Sequence, residues 1–159
     1  PPMAQWLMKT EPDECGIDDF AKAADTPITW DGVRNYQARN FIREMAEGDQ
    51  VFIYHSSCKH IGIAGVVTVV KTAFPDPAQF KPESPYFDAK STPEKPRWQS
   101  VDLRFVRKLP RLIPLDELKA LPGLEDLALV KRGSRLSVMP VSQEQWNIIL
   151  AQVSQAPDE

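Results

Sequence analysis

The chain has 159 residues, of which 42% are hydrophobic and 26% charged, and its formal net charge at pH 7 is −3. This length suits one domain with a single core, and the composition is typical of an ordinary globular protein. The small negative charge excludes a uniformly basic nucleic-acid-binding surface, and the longest apolar run, residues 61–70, is too short to span a membrane.

The start of the chain and its two cysteines bear on location. No secretory signal pattern opens the sequence, and the two prolines ahead of Met3 (residues 1–2) are interpreted as a remnant of expression. Cys15 and Cys58 form no disulfide framework, which favours a reduced, cytoplasmic protein.

The first elements follow from short apolar patterns. Residues 4–9 (AQWLMK) predict a strand, and residues 16–24 predict a short helix with apolar residues at helical spacing. The next segment, TWDGVRNYQARN (residues 29–40), lacks the clear period of a strand or a helix. Its Asp-Gly pair predicts a tight turn, and Asn35 fits the N-cap of a helix that ends near Gly48.

The middle of the chain predicts three strands and a Pro-rich segment. Residues 50–57 and 61–74 are rich in β-branched and aromatic residues, and Gly62 and Gly65 indicate a bend or a close backbone approach in the second strand. The Pro-rich residues 75–98 predict an ordered surface loop or a lid. The segment WQSVDLRFVRKL alternates apolar and polar residues and therefore predicts a half-buried strand.

The last third of the chain predicts short elements around a final strand. Residues 113–133 give two short helical turns separated by a Pro-Gly pair, and residues 135–142 (RLSVMPVS) give a short strand. Ser142 caps a terminal helix over residues 143–153. About five strands, clustered in mid-chain with helices around them, favour an α+β barrel over a parallel doubly wound sheet.

Trp30 stands at the entrance of the predicted turn, just ahead of a helix N-terminus. An indole face with amide and hydroxyl groups nearby is able to bind a flat heterocycle, and unpaired N–H groups at a helix start suit a polar ring edge. The alternative is that Trp30 belongs to the core and Asn35 is only a cap. Trp98, at the edge of the Pro-rich segment, is either a second aromatic wall or an anchor for that loop.

The segment YHSSCKH contains residue types found in metal and catalytic sites. His55, Cys58 and His60, with Cys15 as a fourth ligand, match no zinc spacing, and alternate strand positions point to opposite faces. Ser56 beside His55 lacks a glycine elbow and an identifiable acid partner. We therefore predict no metal, no cofactor and no catalytic residue.

Basic residues cluster although the whole chain is mildly acidic. A group of this kind either binds phosphates, which position a nucleic acid without reading its sequence, or forms a solvated surface. The candidate phosphate contacts are Arg34 and Arg39 after the predicted turn, and Lys131, Arg132 and Arg135 around Gly133.

Several uncommon strings occur in a characteristic order: WLMKTEPDECGIDDF, TWDGVRNYQARNFIREM, GDQVFIYHSS, GIAGVVTVVK, RWQSVDLRFVRKLPR and RGSRLSVMPVSQEQW. In these strings the chain resembles the EVE domain family, which has bacterial members, over about residues 6–150. The resemblance implies one PUA-like domain over residues 3–153 and a C-terminal tail over residues 154–159. The implied fold is a strongly bent, mixed β-barrel of five or six strands with peripheral helices.

The family is similar to the YTH readers of methylated RNA and to other PUA-like domains that take an unstacked base into a pocket. The resemblance implies a non-catalytic domain that binds DNA or RNA carrying a modified base, modified cytosine in particular. Trp98 lies at roughly the position of the second cage tryptophan of the YTH pattern. The other residues implied to converge on the base pocket are Lys9, Thr10, Glu11, Trp30, Gly32, Val33, Asn35, Tyr54, His55 and Ser56.

Two other functions compete with this hypothesis. One is an enzyme acting on a nucleotide or base, such as a hydrolase that uses His55 with Glu11 or Asp31. The other is a protein-interaction adaptor whose contact surface is the Pro-rich loop, residues 75–96. The partner expected under the leading hypothesis is nucleic acid, with no membrane association.

Overall fold

Residues 4–153 are described by a computed structural model of the chain. Residues 1–2 and the predicted tail over residues 154–159 lie outside this range, as does Met3. Short 3₁₀ helices occupy Pro77–Phe80 and Ala128–Val130. The strands and helices are β1 Gln5–Thr10, α1 Pro12–Cys15, α2 Ile17–Ala23, β2 Ile28–Trp30, α3 Tyr36–Glu44, β3 Gln50–His55, β4 Gly62–Pro75, β5 Gln99–Pro114, α4 Leu115–Ala120, β6 Val138–Val141 and α5 Gln143–Val153.

The six strands form one open, mixed sheet in the order β2-β5-β4-β3-β1-β6. β1 and β3 are parallel, while the other neighbouring strands are antiparallel. The long β4–β5 pair carries several register shifts, which bend and twist the sheet. The predicted α+β class and the bent, mixed sheet of six strands are confirmed. Among residues 4–153 the sheet stays open rather than closing into a barrel, because its edge strands β2 and β6 do not pair with each other.

Helices cover both faces of this sheet, so its central strands are buried on both sides. Along β1, Trp6 and Met8 belong to one core cluster, packed with α2 and α3, whereas Leu7 belongs to the other, packed with α4 and α5. The same alternation holds in β3, where Ile53 and Tyr54 enter opposite clusters. Burial on both faces explains why WLM and VFIY read as continuous apolar runs.

The two glycines predicted to mark close approaches in β4 do so. A Cβ atom at Gly62 would collide with the carbonyl group of Ile113, and one at Gly65 would collide with the side chain of Ile17. The missing side chains therefore allow β5 and the start of α2 to pack directly on β4.

Three details differ from the sequence-based expectation. α1 and β2 were not predicted, because both are too short to show a period in the sequence. β2 forms because Trp30 pairs with Val101 of β5. α3 ends at Glu44, ahead of Gly48, because Met45 is extended and the Asp49 carboxylate accepts the N–H of Ala46 (2.9 Å). Among residues 4–153, no helix is long and apolar enough to cross a membrane.

Candidate functional site

The parallel pairing of β1 and β3 brings two strand ends to the same edge of the sheet. Thr10 is the register partner of His55, and the N–H of Ser56 donates to the Thr10 carbonyl over 2.8 Å. On the other side of β1, the Lys9 N–H donates to the carbonyl of Ser137, just before β6, over 2.9 Å. Three segments distant in sequence therefore meet beyond the end of β1.

A cleft of about 660 Å³ opens at this edge. It is bounded by the end of β1, by α1, by β2 and its following turn, by single residues just after β3 and in the Pro-rich loop, and by two residues before β6. Its lining residues are Lys9, Thr10, Glu11, Glu14, Cys15, Thr29, Trp30, Asp31, Gly32, Val33, Arg34, Ser56, Tyr86, Arg135 and Ser137.

Trp30 lies on the inner wall of the cleft and also belongs to the core. Its indole stacks against Phe20 of α2, with ring centroids 6.3 Å apart and an interplanar angle of 17°. Only 8% of the residue is exposed, and that part faces the cleft. Trp30 is therefore both a core residue and a lining residue of the cleft.

The turn after β2 is fixed by a buried carboxylate. Asp76 is fully buried, and its Oδ2 accepts the N–H of Gly32 over 2.9 Å and a guanidinium N–H of Arg34 over 2.7 Å. Gly32 has φ of +84°, and a Cβ at this position would lie 2.8 Å from the ring of Tyr86. Glycine is needed here for both the backbone conformation and the space beside that ring.

Tyr86, which was not among the predicted pocket residues, forms a second aromatic side of the cleft. Its backbone carbonyl accepts two N–H groups of Arg34, at 2.7 and 3.0 Å, and its hydroxyl donates to the Glu14 carboxylate at about 2.9 Å. Burial and the hydrogen bond to Glu14 raise the pKa of Tyr86 to about 12. An aromatic pair within a Pro-rich loop, Tyr86 followed by Phe87, was the available signal.

The cleft is lined by three carboxylates as well as three cations, Lys9, Arg34 and Arg135. Glu11, Glu14 and Asp31 line it and are exposed residues. Partial burial by the surrounding protein, and next the charge of Asp76, raise the pKa of Asp31 above its ordinary value. Burial also raises the pKa of the Cys15 thiol to about 11, so this thiol is protonated at neutral pH.

Four predicted pocket residues do not line this cleft. Asn35 is the N-cap of α3, as predicted, and its Oδ1 accepts the N–H of Ala38 over 2.9 Å. The side chain of Tyr54 points to the opposite face of the sheet. His55 faces a separate apolar groove, and its Nε2 accepts the N–H of Ile17 over 3.1 Å.

Trp98 is the fourth of these residues, and it anchors the Pro-rich loop. The residue is buried, its indole N–H donates to Asp88 over 2.8 Å, and its ring stacks on Tyr36 with centroids 4.8 Å apart. The guanidinium of Arg34 lies 5.5 Å from the ring of Trp98, and that of Arg39 lies 4.7 Å from the ring of Tyr36.

The predicted phosphate contacts fall into two groups. Arg34 and Arg39 are engaged within the protein, since Arg34 pairs with Asp76 and Arg39 donates to the carbonyl of Arg97 over 3.0 Å. The remaining three are exposed cations beside the cleft: Lys131 and Arg132 in an adjoining groove, and Arg135 in the cleft wall itself.

The cysteines and histidines form no metal centre among residues 4–153, where no three or more His, Cys, Asp and Glu side chains cluster suitably for an ion. His55, Cys58 and His60 do border the same groove. Cys15 and Cys58 are free thiols.

Comparison with known proteins points to one family. The EVE domain profile matches residues 4–152. The human protein thymocyte nuclear protein 1 is 42% identical, and the alignment covers 97% of this chain and 76% of that protein. A Pseudomonas syringae protein of known crystal structure is 55% identical in sequence and superposes with a TM-score of 0.92. The match covers 94% of this chain and 99% of that chain.

A further solved structure is that of the human THYN1 protein in complex with DNA containing 5-methylcytosine. It is 40% identical to this chain, has a TM-score of 0.91, and the match covers 97% of this chain and 99% of that chain.

Proposed function

Because this chain belongs to the EVE domain family, we propose that it is a non-catalytic domain that captures a modified base of DNA, modified cytosine in particular, in the Trp30 cleft. The observation that carries this proposal is the cleft itself, which combines an indole wall with carboxylates at the end of a parallel strand pair. The structural relative bound to DNA containing 5-methylcytosine supports the same class of ligand.

The chemistry of the cleft fits a base better than a phosphate. A base stacked on an aromatic ring gains about 1–3 kcal/mol, and a carboxylate accepts a hydrogen bond from the exocyclic amine of cytosine. Glu11 and Asp31 present such acceptors beside Trp30, and the three carboxylates of the cleft offset its three cations, so it carries no excess positive charge to attract a phosphate. The cleft therefore takes up the base after it has left its stack, at a cost of a few kcal/mol.

The apolar part of the cleft suits an added methyl group. Trp30 and Val33 are both buried residues whose exposed fractions face the cleft. One buried methyl contributes about 1 kcal/mol, so packing alone gives a preference of roughly fivefold for the modified base. Hydrogen bonds to the base edge supply the remaining discrimination, because polar groups left unpaired penalise a wrong base.

The arrangement also supports binding without turnover. His55 borders a different groove from the one containing Glu11 and Asp31, so the acid–base pair required by a hydrolase is not assembled in the cleft. The protonated Cys15 thiol is a poor nucleophile. The two free thiols are consistent with a cytoplasmic location. The bacterial relatives are consistent with a bacterial source.

The test compares Trp30→Leu with Trp30→Phe against oligonucleotides that differ in one base. Replacement by alanine would remove the contact with Phe20 and destabilise the fold by about 3–5 kcal/mol, whereas leucine retains apolar volume without an aromatic face. We expect Trp30→Leu to bind DNA containing 5-methylcytosine about 5- to 150-fold more weakly, the equivalent of one lost stack. Trp30→Phe should stay close to wild type.

Equal affinity of the leucine variant and wild type, with similar melting temperatures, would rule out Trp30 as the base wall. The same base panel made as RNA decides between the two polymers. Product analysis after long incubation serves as the check on catalysis, since a chemically altered base would contradict the proposal.

A further inference from the structure

A second cavity adjoins the cleft and differs from it in charge. This groove has a volume of about 400 Å³ and lies between α4 and the loop before β6. Four of its lining residues are cations: Lys9, Lys119, Lys131 and Arg132. Lys9 also lines the cleft, so the two cavities share a wall.

The charges of the groove are not neutralised within the described chain. No carboxylate belongs to its lining, in contrast to the three that line the cleft. None of the four cations forms an ion pair within 4 Å with another residue between positions 4 and 153. Unpaired cations converging on a concave surface concentrate anions there.

The interior of the groove is shaped by Lys9, Tyr54 and Gly133. The Lys9 ammonium lies 5.9 Å from the centroid of the Tyr54 ring. Burial raises the pKa of Tyr54 to about 12, so its hydroxyl stays neutral and adds no negative charge. Gly133 adopts φ of +76°, and the space where a Cβ would lie is open, which leaves its backbone accessible from the groove.

We infer that this groove binds the backbone phosphates of the DNA strand whose base enters the Trp30 cleft. This inference rests on the proposed function, because a base in the cleft carries its flanking phosphates to the cleft rim by covalent linkage. Lys9 lines both cavities and so connects the cleft, where three carboxylates face three cations, with the basic groove. The two cavities thus divide the ligand: the cleft reads the base, and the groove holds the strand regardless of sequence.

The test measures affinity over a range of salt concentrations, using fluorescent single-stranded DNA with or without one 5-methylcytosine. The double variant Lys131→Ala/Arg132→Ala removes two groove charges. The matched control, Lys22→Ala/Arg104→Ala, changes the net charge equally at positions that line neither cavity. Melting temperatures verify that both variants fold.

The groove variant should show a salt slope (log Kd against log salt) smaller by about 1.4, since each lost phosphate contact on a single strand removes about 0.7. At 0.1 M salt this corresponds to roughly 25-fold weaker binding of both DNAs, with the ratio between modified and unmodified DNA unchanged. The control variant should retain the wild-type slope.

Each outcome decides between the two proposals. A groove variant with the wild-type slope, or a control with an equal loss, overturns the phosphate groove while base reading stands. If the groove variant shows the smaller salt slope but the wild type binds modified and unmodified DNA equally, the phosphate groove is supported and base reading is overturned. Failure of the wild type to bind either DNA at low salt overturns both.

Discussion

Trp30 shows how one side chain serves stability and recognition together. Its ring packs on Phe20, and its small exposed part faces the cleft. A wall fixed by core packing does not need to be ordered when a base arrives, so little binding free energy is lost to conformational entropy. The same packing makes Trp30 sensitive to truncation, which is why size-preserving substitutions are the informative ones.

Asp31 is the residue that we expect to distinguish cytosine from thymine. 5-Methylcytosine and thymine both carry the methyl group but differ at the exocyclic position, where only cytosine offers an N–H donor. Asp31→Asn should therefore lower the preference for 5-methylcytosine over thymine by about tenfold, within the 1–3 kcal/mol expected of a base-edge contact. Competition binding with oligonucleotides that differ at that one base measures the ratio.

Asp13→Asn is the matched control for this variant, because Asp13 is an exposed carboxylate in the same region that does not line the cleft. An unchanged ratio in Asp31→Asn, or an equal change in both variants, would show that Asp31 does not contact the base edge.

At the scale of elements, the Pro-rich loop is part of the site. Asp76 at its start holds the turn after β2, Trp98 at its end is buried on Tyr36, and Tyr86 between them lines the cleft. The loop is therefore an ordered wall, one of the two forms predicted from its composition. Its inward contacts account for its order without a protein partner, although Phe87 is 42% exposed.

The contact between this loop and the turn is testable by a double-mutant cycle. Gly32→Ala forces a left-handed backbone on alanine, which costs about 1–2 kcal/mol, and places a methyl group against the Tyr86 ring. Tyr86→Ala removes the ring, so Gly32→Ala should be less destabilising in that background, with a coupling free energy of about 0.5–3 kcal/mol. Urea denaturation of the four proteins measures it, and additive effects would show that the ring does not pack on the turn.

At the scale of the whole molecule, a chain of net charge −3 presents a basic groove beside a cleft in which carboxylates and cations are equal in number. The fold achieves this by bringing the groove cations together from β1, α4 and the loop before β6, while the cleft carboxylates come from α1, the residue before it and the turn after β2. Net charge is therefore a poor guide to nucleic-acid binding in this protein, because a strand contacts only one part of the surface.

His55 gives the stability of the whole molecule a dependence on pH. Its Nε2 accepts the N–H of Ile17, which joins the end of β3 to the start of α2 and requires a neutral ring. Burial lowers the pKa of His55 below 6.5, outweighing the nearby Asp18 and Asp19, while Lys108 acts in the same direction as burial. Because the folded-state pKa is the lower one, this contribution is complete above pH 6.5 and is lost as pH falls through the folded value.

We therefore expect the free energy of unfolding to decrease as the pH falls below 6.5, because the unfolded chain takes up a proton that the folded protein resists. His55→Gln retains an acceptor for Ile17 but cannot titrate, so its unfolding free energy should vary less over this range. His60→Gln, at an exposed position, should behave as wild type. Parallel slopes for wild type and His55→Gln would contradict this account.

The sequence by itself determined the family, the α+β class, most strands and helices, and the placement of Trp30 beside a glycine turn. These features depend on local patterns: apolar periodicity, the Asn35 cap, and strings such as WDGVRNYQARN. The EVE resemblance and its PUA-like fold are confirmed by the family match and by the solved relatives. Lys9, Thr10, Glu11 and Ser56, taken from that resemblance, do line the cleft.

Only the tertiary structure decided which of the other candidates face the same cavity. Tyr54 and His55 are consecutive, yet strand alternation sends them to different surfaces, and Asn35 turns away to cap its helix. Tyr86 reaches the cleft because Arg34 and Asp76, far apart in sequence, hold its loop against the turn. Such convergence depends on long-range pairing and the packing of one loop, which no local pattern in a single sequence records.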